Sequence, residues 1–220
     1  FLPAARAASI ARSGRPRELA RSASSADPYM MDVLLRTFLD AKQYDALIQY
    51  VGKLESHQKA SRVLLRLASA QAATGHLEAA MDAYIGAIEA PDVDLTSVST
   101  LLAEDVQGKR VDAKAAGDLL RRRVEKQPRQ RAPRLLLAQM EKSLLSPEAY
   151  AARLKELLAD ATGTDSRATA ERLFLMRELA LYLYSAKQLE ESRKYYEQVL
   201  AAAPNDVVSN NNLAYLLMDD

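Results

Sequence analysis

Two stretches of the sequence share one pattern: SRVLLRLASAQAATGHLEAAMDAYIGAIEAPDVD at 61–94 and LFLMRELALYLYSAKQLEESRKYYEQVLAAAPND at 173–206. Aligned without a gap, they place large apolar, small and aromatic residues at the same positions. The matched pairs are Leu64 with Met176, Leu67 with Leu179, Ala68 with Ala180, Leu77 with Leu189, Ala80 with Ser192, Tyr84 with Tyr196 and Ala87 with Val199. Each stretch is 34 residues long. A pattern that recurs with this length predicts a repeated unit of two helices joined by a turn.

The pattern has physical causes. Leu64 and Leu67 lie on one face of the first helix and form an apolar stripe. Small residues such as Ala68 and Ala80 suit the point where the paired helices cross most closely. The aromatic residue, Tyr84 in this copy, fills the gap to the next unit. A proline near the end of each copy stops the second helix.

The same phase continues on both sides of these copies. We predict repeats at 28–60, 61–94, 95–130, 131–162 and 173–206, with a half repeat at 207–220. The stretch 163–172 is an insertion that forms either a loop or an extended helix start. Residues 1–27 read as a shortened, degenerate repeat, although their arginine-rich composition also resembles an organelle transit peptide.

This pattern resembles the tetratricopeptide repeat family over residues 28–220. The resemblance implies an all-α, right-handed solenoid of helix–turn–helix repeats that binds a partner protein or peptide on the face lined by the first helices. Several positions depart from the family pattern. Tyr150 occupies a small-residue position, Lys59 and Thr162 stand where proline is usual, and the chain has no Trp.

The last repeat is incomplete in the given sequence. Leu213, Ala214 and Leu217 continue the stripe of a first helix, but no second helix follows. We therefore expect this chain to be a segment of a longer repeat array. We also expect self-association through apolar surface left exposed on its terminal repeats.

Composition narrows the classes of function. Among 220 residues there are 7 Gly, 8 Pro and no Cys, and 49% are hydrophobic, which favours a helical protein and excludes disulfides, thiolate metal sites and cysteine nucleophiles. No apolar run is long enough to span a bilayer, and the composition does not indicate a compartment.

Few side chains suggest chemistry. His57 and His76 lack partners at ligand spacing, and the adjacent acidic pairs Glu104–Asp105, Glu190–Glu191 and Asp219–Asp220 read as solvated helix faces. No phosphate-binding or nucleophile motif occurs. We therefore expect no catalysis, cofactor or metal.

One segment is strongly basic. Between Lys109 and Arg134, ten Lys and Arg face three acidic residues, a net charge of +7. The candidate ligand-binding residues of this basic belt are Arg121, Arg122, Arg123, Lys126, Arg129, Arg131 and Arg134. Such a belt either contacts phosphate or an acidic partner or is a solvated helix face. Nucleic acid is disfavoured, because no aromatic residue among these cations could stack on bases.

The resemblance places a partner-binding surface on the first helices of the final two copies. Its predicted residues are Phe174, Arg177, Leu181, Tyr184, Asn211, Asn212 and Tyr215, a set of aromatic, cationic and amide side chains suited to binding a peptide. The equivalent residues of the 61–94 copy, among them Arg62, Leu65 and Ser69, form a plainer surface. Function is thus predicted to be non-catalytic protein–protein interaction, with two alternatives: a recruiting or regulatory arm of a larger enzyme, or a contact to an acidic or phosphate ligand through the basic belt.

Overall fold

The fold consists of paired helices. The computed structural model describes residues 28–55 and 60–218, and those residues form eleven α-helices and no strand. The chain divides into two compact units, 1–127 and 128–220. The predicted repeat at 1–27, His57 and the pair Asp219–Asp220 lie outside the described residues.

The first unit contains six helices within its described part: α1 (Pro28–Asp40), α2 (Tyr44–Gly52), α3 (Ser61–Ala73), α4 (Leu77–Glu89), α5 (Leu95–Gln107) and α6 (Ala113–Lys126). The second contains α7 (Arg131–Glu141), α8 (Pro147–Ala159), α9 (Ser166–Ser185), α10 (Leu189–Ala202) and α11 (Val207–Met218). Two helices thus correspond to each of the five predicted repeats, and one to the half repeat.

Neighbouring helices pack against each other in a repeating order. In the first unit α3 contacts α4 along its length and also touches α1, α2 and α5. In the second unit α9 contacts α8, α10 and α11. A helix that packs on the next element and on the next but one builds a stack, so the all-helical arrangement within each unit is consistent with an α-solenoid.

The predicted crossing positions are buried. Ala68, Ala80 and Tyr84 of the first unit are inaccessible to solvent, as are Ala180 and Ser192 of the second. Ser192 also donates a hydrogen bond from Oγ to the carbonyl oxygen of Ala180 at 2.7 Å, which satisfies its hydroxyl across the helix pair. The small residues that the pattern predicts at the helix crossings are therefore buried.

The insertion before the last full repeat extends a helix. α9 is 20 residues long and begins at Ser166, seven residues before the repeat phase predicts. Asp165 starts it, because its carboxylate accepts a hydrogen bond from the backbone N–H of Ala168 at 2.8 Å. Of the two alternatives for 163–172, the extended helix start accounts for most of the segment.

Four of the five turns between paired helices share one backbone feature. Lys42, Gly75, Lys109 and Lys187 all have positive φ, between 54° and 80°, and each is the fifteenth residue of its predicted repeat. The left-handed conformation lets the chain leave the first helix and enter the second. Only Gly75 adopts it without the steric cost that a Cβ imposes.

Replacing Lys42 by glycine should therefore stabilise the first unit. Lys42→Gly removes the Cβ from a left-handed residue, and we expect its free energy of unfolding to exceed that of Lys42→Ala by about 1 kcal/mol. Urea denaturation of the two variants measures the difference, and Lys42→Ala controls for loss of the lysine side chain. Equal stability of the two would show that the turn carries no such strain.

Candidate functional site

In the first unit, the first helix of each pair (α1, α3 and α5) contributes to the wall of a groove. Its volume is about 720 Å³, and its walls come from α1, α3 and α5, with Tyr44 and Arg110 at its border. We call it the α1–α3–α5 groove. Leu39 and Leu101, both partly exposed, supply apolar surface, whereas Leu65 borders the groove but is only 4% exposed. Hydroxyl groups come from α3 and from the first two turns of α5. The groove is large enough for several residues of a peptide.

Charged side chains dominate the rest of the lining. The cations are Arg36, Arg62, Arg66 and Arg110, and the acids are Asp32, Asp40 and Glu104. Arginine offers five N–H donors in a planar fork, so a guanidinium group without an internal partner can bind a carboxylate.

Asp32 joins the first two walls of the groove. Its carboxylate accepts from Arg36 Nε of the same helix at 3.0 Å and from Arg66 Nη2 of α3 at 3.3 Å. One carboxylate therefore partners two guanidinium groups. Arg62 lies one turn before Arg66, is exposed, and forms no ion pair with any residue in the described part of the chain.

Asp105 of α5 lies behind the groove and is completely buried. Its Oδ2 accepts from Ser69 Oγ of α3 at 2.9 Å and from the Tyr84 hydroxyl of α4 at 2.6 Å. Its Oδ1 accepts from Arg110 Nε at 2.5 Å. A buried carboxylate is stable only with such partners, and here three donors surround it.

The backbone of Asp105 holds the following turn as well. The N–H groups of Arg110 and Val111 both donate to its carbonyl oxygen, at 2.8 and 3.1 Å. Arg110 also lines the groove, as does Ser69. Asp105 thus fixes two lining residues from beneath without reaching the ligand space.

The prediction that Glu104 and Asp105 form a solvated pair is wrong for Asp105. Glu104 is exposed in the groove, whereas its neighbour is core. Burial and the adjacent Asp105 carboxylate raise the pKa of Tyr84 well above its usual value, so this phenol stays protonated and donates. The buried tyrosine of the repeat pattern was the signal for this contact, because a phenol that fills an interior gap needs an acceptor.

The residues predicted to bind a partner in the second unit are in different environments. Phe174 is 5% exposed and belongs to the core, which corrects its expected place on an open surface. Arg177 pairs with Asp206 of the turn before α11, Nη1 to Oδ2 at 2.8 Å. Asn212 donates from Nδ2 to the Tyr196 hydroxyl at 3.0 Å. These three side chains stabilise the helix packing.

The other predicted residues are accessible. Leu181 and Asn211 are exposed, Tyr215 is 68% exposed, and Lys187 Nζ lies 5.9 Å from the ring centroid of Tyr184. Val207, Val208 and Met218 add apolar exposed surface on α11. The accessible part of the predicted cluster is therefore apolar and aromatic, without a free guanidinium from Arg177.

The basic belt is divided between the two units, since their boundary follows Gln127. In the first, Arg121 pairs with Asp118 and Arg123 with Asp82, both at 2.5 Å. In the second, Arg131 pairs with Glu171 and Arg134 with Asp160, both at 2.6 Å. Arg122, Lys126 and Arg129 are exposed. Much of the positive charge that the sequence concentrates here is paired within the chain.

Sequence reasoning underrated the α1–α3–α5 groove. It named Arg62, Leu65 and Ser69 as inward residues of one copy but judged that surface plain. The same inward positions in the copy at 28–60 give Asp32, Arg36 and further groove residues. Reading adjacent copies together would have revealed the charged lining.

Metal-binding and membrane-spanning features are absent from the described helices and turns. Within residues 28–55 and 60–218 no three His, Asp or Glu side chains are grouped to hold a metal ion, and His76 contacts Thr74 in an exposed turn. None of the helices described has both the length and the apolar character to cross a bilayer. No protein-family model and no curated protein sequence matches this chain.

Removing the charge of Asp105 should destabilise the first unit. In Asp105→Asn one acceptor oxygen becomes a donor, which leaves the Tyr84 hydroxyl or the Arg110 guanidinium without its partner. We expect a loss of about 2–4 kcal/mol in the free energy of unfolding. Glu104→Gln makes the same chemical change at the adjacent exposed position and should cost less than about 0.5 kcal/mol. Urea denaturation of both distinguishes them, and equal losses would contradict the assigned role of Asp105.

Proposed function

We propose that this chain is a non-catalytic interaction module that binds a segment of a partner protein in the α1–α3–α5 groove. The observation that carries the proposal is the groove itself. It is lined by three successive first helices and combines apolar surface with donors and acceptors that a peptide can use. Ligand pockets typically combine apolar surface with a few polar groups. Arginine is among the residues that dominate binding energy at interfaces.

We further propose that the helix pairs are tetratricopeptide-like repeats that coil right-handedly within each unit. The support is twofold. The two quoted copies share a gapless residue pattern, and four of the five predicted repeats leave their first helix through a positive-φ residue at the same position. In such a stack the first helices form one face, which is where the groove lies.

A library of short random peptides displayed on phage tests the function. Peptides selected on the whole chain are measured again on Thr100→Trp, which fills the groove from an exposed position of α5. We expect the variant to weaken binding at least tenfold, a change of about 1.4 kcal/mol. Lys114→Trp places the same bulk on the exposed surface of α6 and should leave affinity unchanged.

Two results would overturn the proposal. One is that no selected peptide binds above background. The other is that binding survives Thr100→Trp but falls with Tyr215→Ala or with Arg122→Ala. That result would move the binding site to the α9–α11 surface or to the basic belt, respectively.

A further inference from the structure

The α1–α3–α5 groove has opposite charge at its two ends. At the end formed by the first half of α3, Arg36, Arg62 and Arg66 face only the Asp32 carboxylate. Among the groove-lining residues this end carries a net positive charge of two. The Arg62 guanidinium forms no ion pair with any residue in the described part of the chain.

Two further carboxylates lie close to the positive end but do not line the groove. Asp92 Oδ1 accepts from the backbone N–H of Ser61 at 3.0 Å. Asp94 caps α5 by accepting from the N–H groups of Thr96 and Ser97. Both accept from backbone N–H groups, and neither forms an ion pair with Arg62.

The opposite end is acidic. Asp40 at the end of α1 and Glu104 near the end of α5 line the groove, and both are exposed. The cation at this end, Arg110, is bonded through Nε to the buried Asp105. Its charge is largely balanced by a carboxylate outside the ligand space, which leaves Asp40 and Glu104 to face a ligand.

The distance between the two ends follows from helix geometry. Ser69 bonds to Asp105, so these residues lie at one level of α3 and α5. Arg62 precedes Ser69 by seven residues, and Glu104 precedes Asp105 by one. At 1.5 Å per residue, Arg62 and Glu104 are about 9 Å apart along the helices, which is roughly three residues of extended chain.

We propose that the groove binds an extended segment of a partner protein that places an acidic side chain at Arg62 and, about three residues away, a basic side chain at Glu104. This inference rests on the proposed function and adds the chemistry of the ligand. Leu101, which is partly exposed on the groove wall, accommodates an intervening side chain. A uniformly acidic or uniformly basic segment matches only one end and meets like charge at the other.

Panning the peptide library on charge-reversed variants of the chain tests the proposal. The displayed peptide library is panned on the wild-type chain, on Arg62→Glu and on Glu104→Lys. Both positions are exposed, so the variants should fold, and circular dichroism checks this. Wild-type peptides should be enriched in acidic and basic residues about three positions apart. Arg62→Glu should lose the enrichment in acidic residues, and Glu104→Lys the enrichment in basic ones.

Affinities of a single selected peptide make the test reciprocal. By fluorescence anisotropy, Arg62→Glu should weaken the wild-type peptide about tenfold or more, and a peptide with its acidic residue changed to lysine should recover most of that loss. Lys114→Glu makes the same charge reversal on the exposed surface of α6 and should alter affinity less than about twofold.

The outcomes separate this inference from the proposed function. Peptides that depend on an open groove, as judged with Thr100→Trp, but lack the charge pair would overturn the inference and leave the function standing. Equal effects of Arg62→Glu and Lys114→Glu on affinity would overturn the inference in the same way. Absence of any groove-dependent peptide would overturn both.

Discussion

The buried carboxylate of Asp105 is the interaction on which the first unit and its groove depend. It lies on α5, accepts from α3 and α4, and holds the turn that leads to α6 through both its side chain and its carbonyl oxygen. These contacts hold α3 and α4 of one helix pair against α5 of the next. The desolvation of the carboxylate is offset only while Ser69, Tyr84 and Arg110 all stay in place. Because Ser69 and Arg110 also line the groove, the same network that joins the helix pairs sets the shape of the site.

Elsewhere the fold follows from a simpler constraint, which is that no helix pair buries its apolar surface alone. Small residues at the crossing let paired backbones approach, and the aromatic residue that follows fills the space beside them. Tyr150 is an exception to the rule that small residues occupy the helix crossing. It stands where the pattern expects a small side chain, yet it is fully buried, its ring packs edge-on against Tyr182 at 4.5 Å, and Gln139 donates to its hydroxyl. A large residue is tolerated there because neighbouring side chains provide both a ring contact and a hydrogen bond.

The helical architecture was predictable because it depends on spacing alone. Ala68, Ala80 and Tyr84 recur in phase, and burial at those positions follows from helix geometry. The site was less predictable, since it depends on contacts between residues about one repeat apart. Glu104 and Asp105 look alike in sequence, and only the positions of Ser69 and Tyr84 decide which of them is buried. Phe174 occupies an inward position by phase but is core, and it directly follows the inserted residues that lengthen the start of α9.

The internal partners of each arginine also decide where a ligand gains affinity. Arg177 is paired with Asp206, whose pKa burial alone would raise but which the Ser209 N–H and the Arg177 guanidinium lower. A ligand carboxylate at Arg177 would have to replace this existing partner, so much of the new interaction energy would only restore what was lost. At Arg62 no described residue has to be displaced, and the neighbouring Arg36 and Arg66 share one carboxylate. An incoming acidic side chain at Arg62 would gain a partner without displacing one, in contrast to an acidic side chain at Arg177.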